Sequence, residues 1–386
     1  MNSPIASHFR GRLTTQVRRV LPAYIVVVCL VVFFANVHFF TTPLRAASKY
    51  KRELRYQQAP MTAGTVIPPK IWQTWKTGPL TFEQRDSDVA KTWPAKNPDH
   101  RYEVLTDSND EQYVEWHYGP HGLNRPDIVD LYRNINITIV KADLLRYLVM
   151  YAEGGVYADI DVEAIRPIHR FIPDHYNKED VDMIIGIEID EPAFANHPIL
   201  GPKSRSFCQW TFAAKPHLPV MMRLVENIQE WIQELAREKD VLMSELHLDF
   251  DEIITGTGPS AFTAAVLEQM KVQNHGNPVP WDTFHDLVES KLQNGILVLN
   301  VESFAAGQGH SDSGNHGSRG ALVKHHYHAS GWPTLHPRHN HPMYGEVERC
   351  NWEPFCVAEW DKNVAEWDLL SKEEQGQRLA LKQQNP

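Results

Sequence analysis

Two aspartates, Asp159 and Asp161, are separated by a single residue in the segment Gly154-Gly-Val-Tyr-Ala-Asp159-Ile-Asp161. Carboxylate oxygens are preferred ligands of Mg²⁺ and Mn²⁺, and such ions are usually held by one or two carboxylates together with substrate phosphates. The pair therefore indicates a divalent cation site that serves a phosphate-bearing substrate. A calcium-binding EF-hand loop is excluded, because Ala164 and Arg170 occupy the places where that loop needs glycine and glutamate.

A predicted helix and a predicted strand position the two aspartates. Leucine and valine recur at helical spacing over residues 138–152, and a glycine pair then ends the helix. Asp143 and Arg146 lie three residues apart on this helix, so their side chains share a face. A short apolar strand at residues 156–157 leads into Asp159. In open α/β sheets ligands bind where strands end, so the aspartates are predicted to face a ligand.

Alternating strand and helix patterns predict the fold class. Apolar strands are predicted at residues 67–75, 102–105, 156–157 and 183–187, with helical patterns between several of them. This alternation is typical of an α/β domain with a mostly parallel, Rossmann-related sheet.

Several motifs, taken together, resemble one known family. Besides Asp143-Leu-Leu-Arg146 and the double-aspartate segment, they are Ile67-Pro-Pro-Lys-Ile-Trp-Gln-Thr-Trp75, Gly186-Ile-Glu-Ile-Asp190, Phe207-Cys-Gln-Trp-Thr211, Thr257-Gly-Pro259, Ser303-Phe-Ala-Ala-Gly-Gln-Gly-His310 and Val323-Lys-His-His-Tyr327. The chain is identified as a member of glycosyltransferase family 32, and it resembles the fungal initiation-specific α-1,6-mannosyltransferases within that family. The resemblance extends from about residue 67 to residue 332.

The resemblance implies a GT-A-like catalytic domain with a donor site and a metal site. Donor contacts are implied for Trp72, Asp143, Arg146, Tyr157 and Asp159. From its residue type alone Trp72 is equally well a core aromatic, whereas the resemblance favours contact with the donor. Implied metal ligands are Asp159, Asp161 and, within the Lys-His-His stretch, His326 in preference to His325. The expected cofactor is Mn²⁺ or Mg²⁺.

Glu188 and Asp190 are the candidate catalytic residues, because they follow the apolar strand at residues 183–187. The sequence leaves open whether either is a base, a nucleophile or an anchor for a sugar hydroxyl. Two nearby carboxylates also suit a glycosidase. Glycosidases need no metal and diphosphate site, so the double-aspartate context favours transfer over hydrolysis.

The resemblance implies transfer of mannose from GDP-mannose to a mannose of an N-linked glycan, with retention of the anomeric configuration. Two alternatives remain open. One is a related family 32 enzyme that acts later in mannan elongation or uses another sugar donor. The other is a non-enzymatic, glycan-binding subunit of a mannosyltransferase complex, and such a complex is also an expected partner of the enzyme.

Composition and hydropathy predict a membrane-anchored protein with a large globular domain. The 386 residues carry a formal net charge of −10, and no basic stripe is present, which excludes nucleic acid as a partner. Residues 21–40 are apolar and long enough for a signal anchor, since about 20 such residues span a bilayer. The predicted order is a cytosolic tail (1–20), this anchor, a stem (41–66), the catalytic domain (67–360) and a polar tail (361–386). With the resemblance, this order implies a single-pass type II Golgi protein whose catalytic domain is lumenal.

Two further features fit an oxidising, glycosylating lumen. Cys350 and Cys356 are close enough in sequence for a small disulfide loop, with three free thiols outside the predicted span as the alternative. Asn136-Ile-Thr138 is an N-glycosylation sequon. We expect the bridge, and leave open whether Asn136 carries a glycan.

Overall fold

The structure of the chain is a computed structural model, which describes residues 66–197, 200–329, 341–345, 350 and 354–384, with isolated positions 24, 26, 28 and 52. Contacts divide the chain into two units, Met1–Ala59 and Pro60–Pro386. The predicted cytosolic tail, signal anchor and stem lie outside the described residues, apart from those four positions and residue 66, the last of the predicted stem. Among the residues that are described, no helix combines the length and apolarity needed to cross a bilayer.

Ten β-strands occur among the described residues of the second unit. They are β1 (Lys70–Trp75), β2 (Arg101–Thr106), β3 (Gly155–Ala158), β4 (Val162–Ala164), β5 (Met183–Asp190), β6 (Arg205–Phe207), β7 (Thr211–Ala214), β8 (Lys291–Gln293), β9 (Ile296–Leu299) and β10 (Val323–His325). Eight of them form one sheet, with the order β2-β1-β3-β7-β5-β9-β8 and β6 paired with β5. The other two, β4 and β10, form a separate antiparallel pair in which His325 lies opposite Val162.

Most strands of the central sheet run in one direction. β1 is parallel to β2 and β3, and β5 is parallel to β9. Because β3 and β5 are both antiparallel to β7, those two also share a direction. Five strands therefore run one way, while β6, β7 and β8 run the other. The predicted α/β class with a mostly parallel sheet is confirmed; the sheet is nevertheless mixed, because β7 lies between β3 and β5.

Eleven α-helices occur among the described residues of the second unit. They are α1 (Gln84–Ala90), α2 (Thr92–Lys96), α3 (Asp110–Tyr118), α4 (Pro126–Asn134), α5 (Thr138–Ala152), α6 (Pro219–Glu238), α7 (Phe250–Gly256), α8 (Pro259–Gln273), α9 (Val301–Ala305), α10 (Pro354–Asp368) and α11 (Lys372–Gln384). Short 3-10 helices lie at Pro79–Thr81, Ile168–Arg170, Lys178–Asp180, Pro192–Phe194, Gly201–Ser204, Met243–Glu245 and Trp281–Thr283.

The core forms where helices cover the sheet. Every residue of β3 is buried, as expected for a central strand that is covered on both faces. α5 packs on β1 and β3, α6 packs on α5, and α8 packs on α6 and β6. Along α6 the buried residues Leu224, Ile228 and Ile232 recur every four positions, which gives the helix one apolar stripe facing this core.

The last part of the chain is helical. The boundary predicted at residue 360 falls inside α10, where Val357 and Trp360 are buried against Tyr344, Cys350 and Val364. The Sγ atoms of Cys350 and Cys356 form a disulfide at the start of this helix. The residues predicted as a polar tail therefore include the second half of α10 and all of α11.

Candidate active site

Asp159 lies directly after β3, at its carboxyl end. Gly154, with a φ of +64°, ends the preceding helix, and a Cβ atom there would come within 2.6 Å of the Pro216 backbone nitrogen. A glycine is therefore needed for the close turn that leads into β3. The Asp159 N–H donates to the Trp210 carbonyl at 2.8 Å, and the Gln73 side-chain amide donates to the Asp159 carbonyl at 2.9 Å. Neighbouring strands thus fix the Asp159 backbone at the sheet edge.

The Asp159 carboxylate has one oxygen bound to protein groups. Its Oδ1 accepts a hydrogen bond from the Tyr157 hydroxyl at 2.8 Å and lies 3.2 Å from Arg146 Nη2. Thr74 Oγ1 lies 2.9 Å from the same hydroxyl, so Thr74 donates to Tyr157 and Tyr157 donates to Asp159. Burial raises the pKa of Asp159, and the Arg146 charge opposes that rise. Tyr157, fully buried, therefore orients Asp159 and does not present its ring to a donor.

Arg146 bridges two carboxylates on α5 and β3. Its Nη2 is 3.1 Å from Asp143 Oδ1, and its Nη1 donates to the Gln209 carbonyl at 3.3 Å. Thr257 Oγ1 donates to Asp143 Oδ2 at 2.7 Å. Burial raises the pKa of Asp143 to about 6, with the Arg146 charge opposing the rise. The Asp143 and Arg146 side chains are 3% and 7% exposed, against 22% for Asp159, so they lie behind it.

Asp161 is held by a backbone loop. Its Oδ2 accepts hydrogen bonds from the N–H groups of His328 at 2.9 Å and Ala329 at 2.8 Å. Its buried Oδ1 makes no hydrogen bond among the described residues and lies 3.3 Å from His325 Nε2. Burial works against ionisation, yet His325 and the Ala329 amide hold the pKa of Asp161 well below its usual range. The carboxylate is thus ionised, and among the described residues its Oδ1 has the ion-pair contact with His325 but no hydrogen bond.

Asp159, Asp161 and His325 form a group that fits a divalent cation. Each offers one ligand atom, and these atoms lie within 4.8 Å of one another. The His325 ring is enclosed by Trp210 and Tyr327, with ring centroids 4.5 and 3.9 Å away. Two carboxylates and an imidazole suit Mn²⁺ better than Mg²⁺, and the orphaned Asp161 oxygen is the kind of buried polar atom that an ion satisfies.

The preference for His326 over His325 requires correction. His326 Nε2 lies 3.0 Å from Glu163 Oε2, outside the aspartate group. Successive residues of an extended segment point to opposite sides. Because β10 pairs with β4 in the register that sets His325 opposite Val162, His325 is the member that reaches Asp161.

The predicted donor contact of Trp72 also requires correction. Trp72 is 2% exposed, its indole N–H donates to the Gly154 carbonyl at 3.0 Å, and its ring packs edge-on against Tyr113. A ring enclosed in this way cannot stack on a base. Trp75, at the carboxyl end of β1, is half-buried, with the Lys76 ammonium 5.1 Å from its ring centroid.

The structure separates the two candidate catalytic carboxylates. Glu188 accepts hydrogen bonds from Trp210 Nε1 at 2.9 Å and Ser206 Oγ at 3.2 Å, and burial raises its pKa. Asp190 instead accepts from Trp281 Nε1 at 2.7 Å and lies 3.1 Å from His285 Nδ1. A register shift in β5 between residues 187 and 189 breaks the alternation that would place both on one face. Asp190 therefore anchors the 281–286 loop, which corrects its predicted placement, while Glu188 stays next to the Trp210 ring that covers His325.

Other site residues follow from the fold. Four further residues support the aspartates and Arg146, namely Gln73, Gln209, Trp210 and Thr257. Each lies in one of the motifs quoted above, although the sequence alone assigned it no role. Asn136 is exposed, and its side-chain amide donates to the Ser244 carbonyl at 2.9 Å.

Comparisons with known proteins show the family of the chain. Residues 83–181 match the profile of a family described as a glycosyltransferase sugar-binding region containing a DXD motif. An initiation-specific α-1,6-mannosyltransferase of Candida albicans is 30% identical over 278 residues, which cover 67% of this chain and 70% of that protein. The protein of the same name in Schizosaccharomyces pombe is 30% identical over 266 residues, covering 69% of this chain.

The chain spans 64% of the length of the Schizosaccharomyces pombe relative. Among solved structures, PaToxG glycosyltransferase is similar at a TM-score of 0.37 and 16% identity, covering 62% of this chain and 84% of that one. By its similarity to the two fungal proteins, the chain belongs to the family of DXD-containing glycosyltransferases that includes the fungal initiation-specific α-1,6-mannosyltransferases.

Proposed function

We propose that the protein is an α-1,6-mannosyltransferase with a GT-A-like domain, which transfers mannose from GDP-mannose to a mannose hydroxyl of an N-linked glycan and so initiates an outer chain. The observation that carries the proposal is the group of Asp159, Asp161 and His325 at the end of β3, with Arg146 beside it. The names of the fungal relatives support the mannosyl donor and the α-1,6 linkage.

Mn²⁺, or Mg²⁺ in its place, would be held by Asp159, Asp161 and His325 and would neutralise charge on the departing nucleoside diphosphate. The protein residues keep this group in place. Tyr157 and Arg146 fix one oxygen of Asp159, and the amides of residues 328 and 329 fix one oxygen of Asp161. Fixed charges and dipoles of this kind need little reorganisation during reaction, which is where most of the rate enhancement is expected.

An α-linked product from an α-linked donor requires retention at the anomeric carbon. We propose that the diphosphate leaves and the acceptor hydroxyl attacks from the same face, with the diphosphate oxygen taking the acceptor proton. Glu188 is then an anchor for a sugar hydroxyl and not a nucleophile, because Trp210 and Ser206 already hold its carboxylate.

We propose a type II topology with the catalytic domain in the Golgi lumen. The apolar segment at residues 21–40 supports an anchor. The disulfide between Cys350 and Cys356 supports an oxidising compartment. The exposed side chain of Asn136 supports access by the glycosylation machinery, so endoglycosidase sensitivity of a tagged chain would test topology and sequon together.

The decisive assay uses the purified full chain in detergent with GDP-mannose, MnCl₂ and a high-mannose glycan. We expect transfer of one mannose in α-1,6 linkage, identified by linkage-specific mannosidase digestion. Asp161→Asn should lower kcat/KM by about 100-fold or more, since losing several kcal/mol of charge stabilisation has that effect. Asp286→Asn, which changes a carboxylate that is 80% exposed, is the matched control and should leave the rate unchanged.

Three outcomes would redirect the proposal. Transfer only from another nucleotide sugar would identify a related family 32 enzyme with a different donor, and transfer only to longer mannan would indicate a later step. Glycan binding without transfer from any donor, unchanged in Asp161→Asn, would indicate a binding subunit of a complex.

A further inference from the structure

A further buried carboxylate, Asp86, connects α1 to the loop that holds Asp161. Asp86 is fully buried on α1. Its Oδ1 lies 2.9 Å from His328 Nε2 and 3.3 Å from Arg85 Nε, and its Oδ2 has no hydrogen-bond partner among the described residues. A carboxylate without exposure to water is costly unless charged or polar groups compensate it. Asp86 lies within residues 83–181, which match the DXD family profile, but outside the motifs quoted above.

The partner of Asp86 is His328, whose backbone N–H also donates a hydrogen bond to Asp161, the aspartate of the metal site. The His328 imidazole donates to Asp86, while the His328 N–H and the Ala329 N–H both donate to Asp161 Oδ2. The His326 N–H adds a 3.0 Å hydrogen bond to the Asp161 carbonyl. One short loop thus holds both the backbone and the carboxylate of Asp161.

This loop adopts a conformation that needs external support. Tyr327, between the two histidines, has a φ of +52°, a region that is unfavourable for a bulky side chain. Such strain persists only where the surroundings determine the conformation. The hydrogen bond between His328 and Asp86 is a contact that fixes the loop directly after Tyr327, and the His328 side chain is 15% exposed.

We propose that Asp86 and His328 are positioning residues of the metal site. Asp86 holds the His328 ring, the ring fixes the 328–329 amides, and these amides occupy Asp161 Oδ2. The other oxygen, Oδ1, is thereby directed to the cation beside His325. The inference rests on the metal role proposed for Asp161. It adds two residues to the site, Asp86 and His328, which lie 242 positions apart in the sequence.

The test is Mn²⁺ binding by the full chain, with Mn²⁺ alone as the probe and free ion measured by electron paramagnetic resonance. Removing His328 alone would leave the buried Asp86 carboxylate with only the exposed Arg85 beside it, which endangers folding. The double variant Asp86→Leu/His328→Leu removes both partners, and replacing both members of a buried pair by apolar groups is often nearly neutral for stability. We expect its dissociation constant for Mn²⁺ to rise by about 10- to 100-fold, as for other groups that orient metal ligands.

Two variants make the test specific to the hydrogen bond. His328→Gln keeps a donor near the Nε2 position and should bind Mn²⁺ close to wild type. His117→Leu removes a comparable histidine on α3, whose Nε2 lies 3.4 Å from a Glu153 oxygen, and should have no effect. Unfolding temperatures of all variants are measured beside the binding curves, so that loss of affinity is separated from loss of fold.

Each result has one meaning. If Asp161→Asn binds Mn²⁺ like wild type, the metal role of Asp161 is refuted and the positioning proposal falls with it. If Asp161→Asn loses binding while the folded double variant keeps full affinity, only the positioning role is wrong. Equal weakening in His328→Gln and the double variant would also overturn it, because the donor would then be irrelevant.

Discussion

Replacing Thr257 by valine removes one hydroxyl from a fully buried part of the site. Thr257 Oγ1 donates to Asp143 Oδ2 at 2.7 Å, and the two residues are 0% and 2% exposed. Valine preserves the side-chain shape, so no cavity forms and the lost interaction is the hydrogen bond itself. A hydrogen bond to a charged group contributes about 1.5–3 kcal/mol, and we expect Thr257→Val to lower the free energy of unfolding by that amount at pH 8.

The pH dependence of this loss follows from the raised pKa of Asp143. Its pKa in the fold is about 6, above its ordinary value of 3.8. An acid whose pKa is raised by folding contributes stability that is complete below pH 3.8 and is lost as the pH rises through about 6. At pH 5 the carboxyl is largely protonated, so the hydroxyl meets a neutral partner. The cost of Thr257→Val should then fall to about 0.5–1.5 kcal/mol.

Urea unfolding at pH 8 and pH 5 measures both values. Thr255→Val is the matched control, because this exposed hydroxyl on α7 donates to the Asp251 carbonyl of the same helix, and we expect a change within about 0.5 kcal/mol. The reasoning is refuted if Thr257→Val costs no more than Thr255→Val at pH 8, or if its cost is the same at both pH values.

Two further predictions concern ion pairs away from the metal group. Lys215 is fully buried, with its Nζ 2.8 Å from Asp182 Oδ1, so Lys215→Met should lower the free energy of unfolding by about 3–5 kcal/mol. Lys203→Met, at a more exposed ion pair, should cost about 1 kcal/mol or less, and similar losses for both in urea unfolding would contradict the argument. The hydrogen bond to Asp190 raises the pKa of His285. The stability that this contact contributes is therefore complete below pH 6.5 and is lost as the pH rises through the higher pKa of the folded state. His285→Gln should therefore lower the unfolding temperature at pH 6 and have progressively less effect toward pH 9; a constant effect would show that the charge is not involved.

The sequence predicted the parts of the site that are close together in the chain. Helical spacing set Asp143 and Arg146 on one face, and the glycine pair followed by a short apolar strand set Asp159 at a sheet edge. These features depend on local conformation over about two turns and one strand, where periodicity is informative.

The mistaken placements depend on contacts between distant segments. The choice between His325 and His326 is settled by the register of β10 against β4, more than 150 positions earlier in the chain. The displacement of Asp190 follows from one extra residue in β5 opposite β6. For Asp86 the sequence offers no signal, since an acidic residue near a helix start is normally a solvated one.

Charge balance supports the divalent ion that we propose for this group. Asp143, Asp159 and Asp161 contribute three carboxylates, and Arg146 returns one positive charge, which leaves two negative charges in a largely buried region. The protein satisfies one oxygen of Asp159 and one of Asp161 with its own donors, and the second Asp161 oxygen has an ion-pair contact with His325 but no hydrogen bond among the described residues. A dipositive ion held by this group would cancel the deficit, and the diphosphate of the proposed donor would meet an Arg146 that is already fixed between two of the carboxylates. In this proposal the fixed charge of Arg146 would influence where the donor's negative charge lies, and the ion would strengthen its binding.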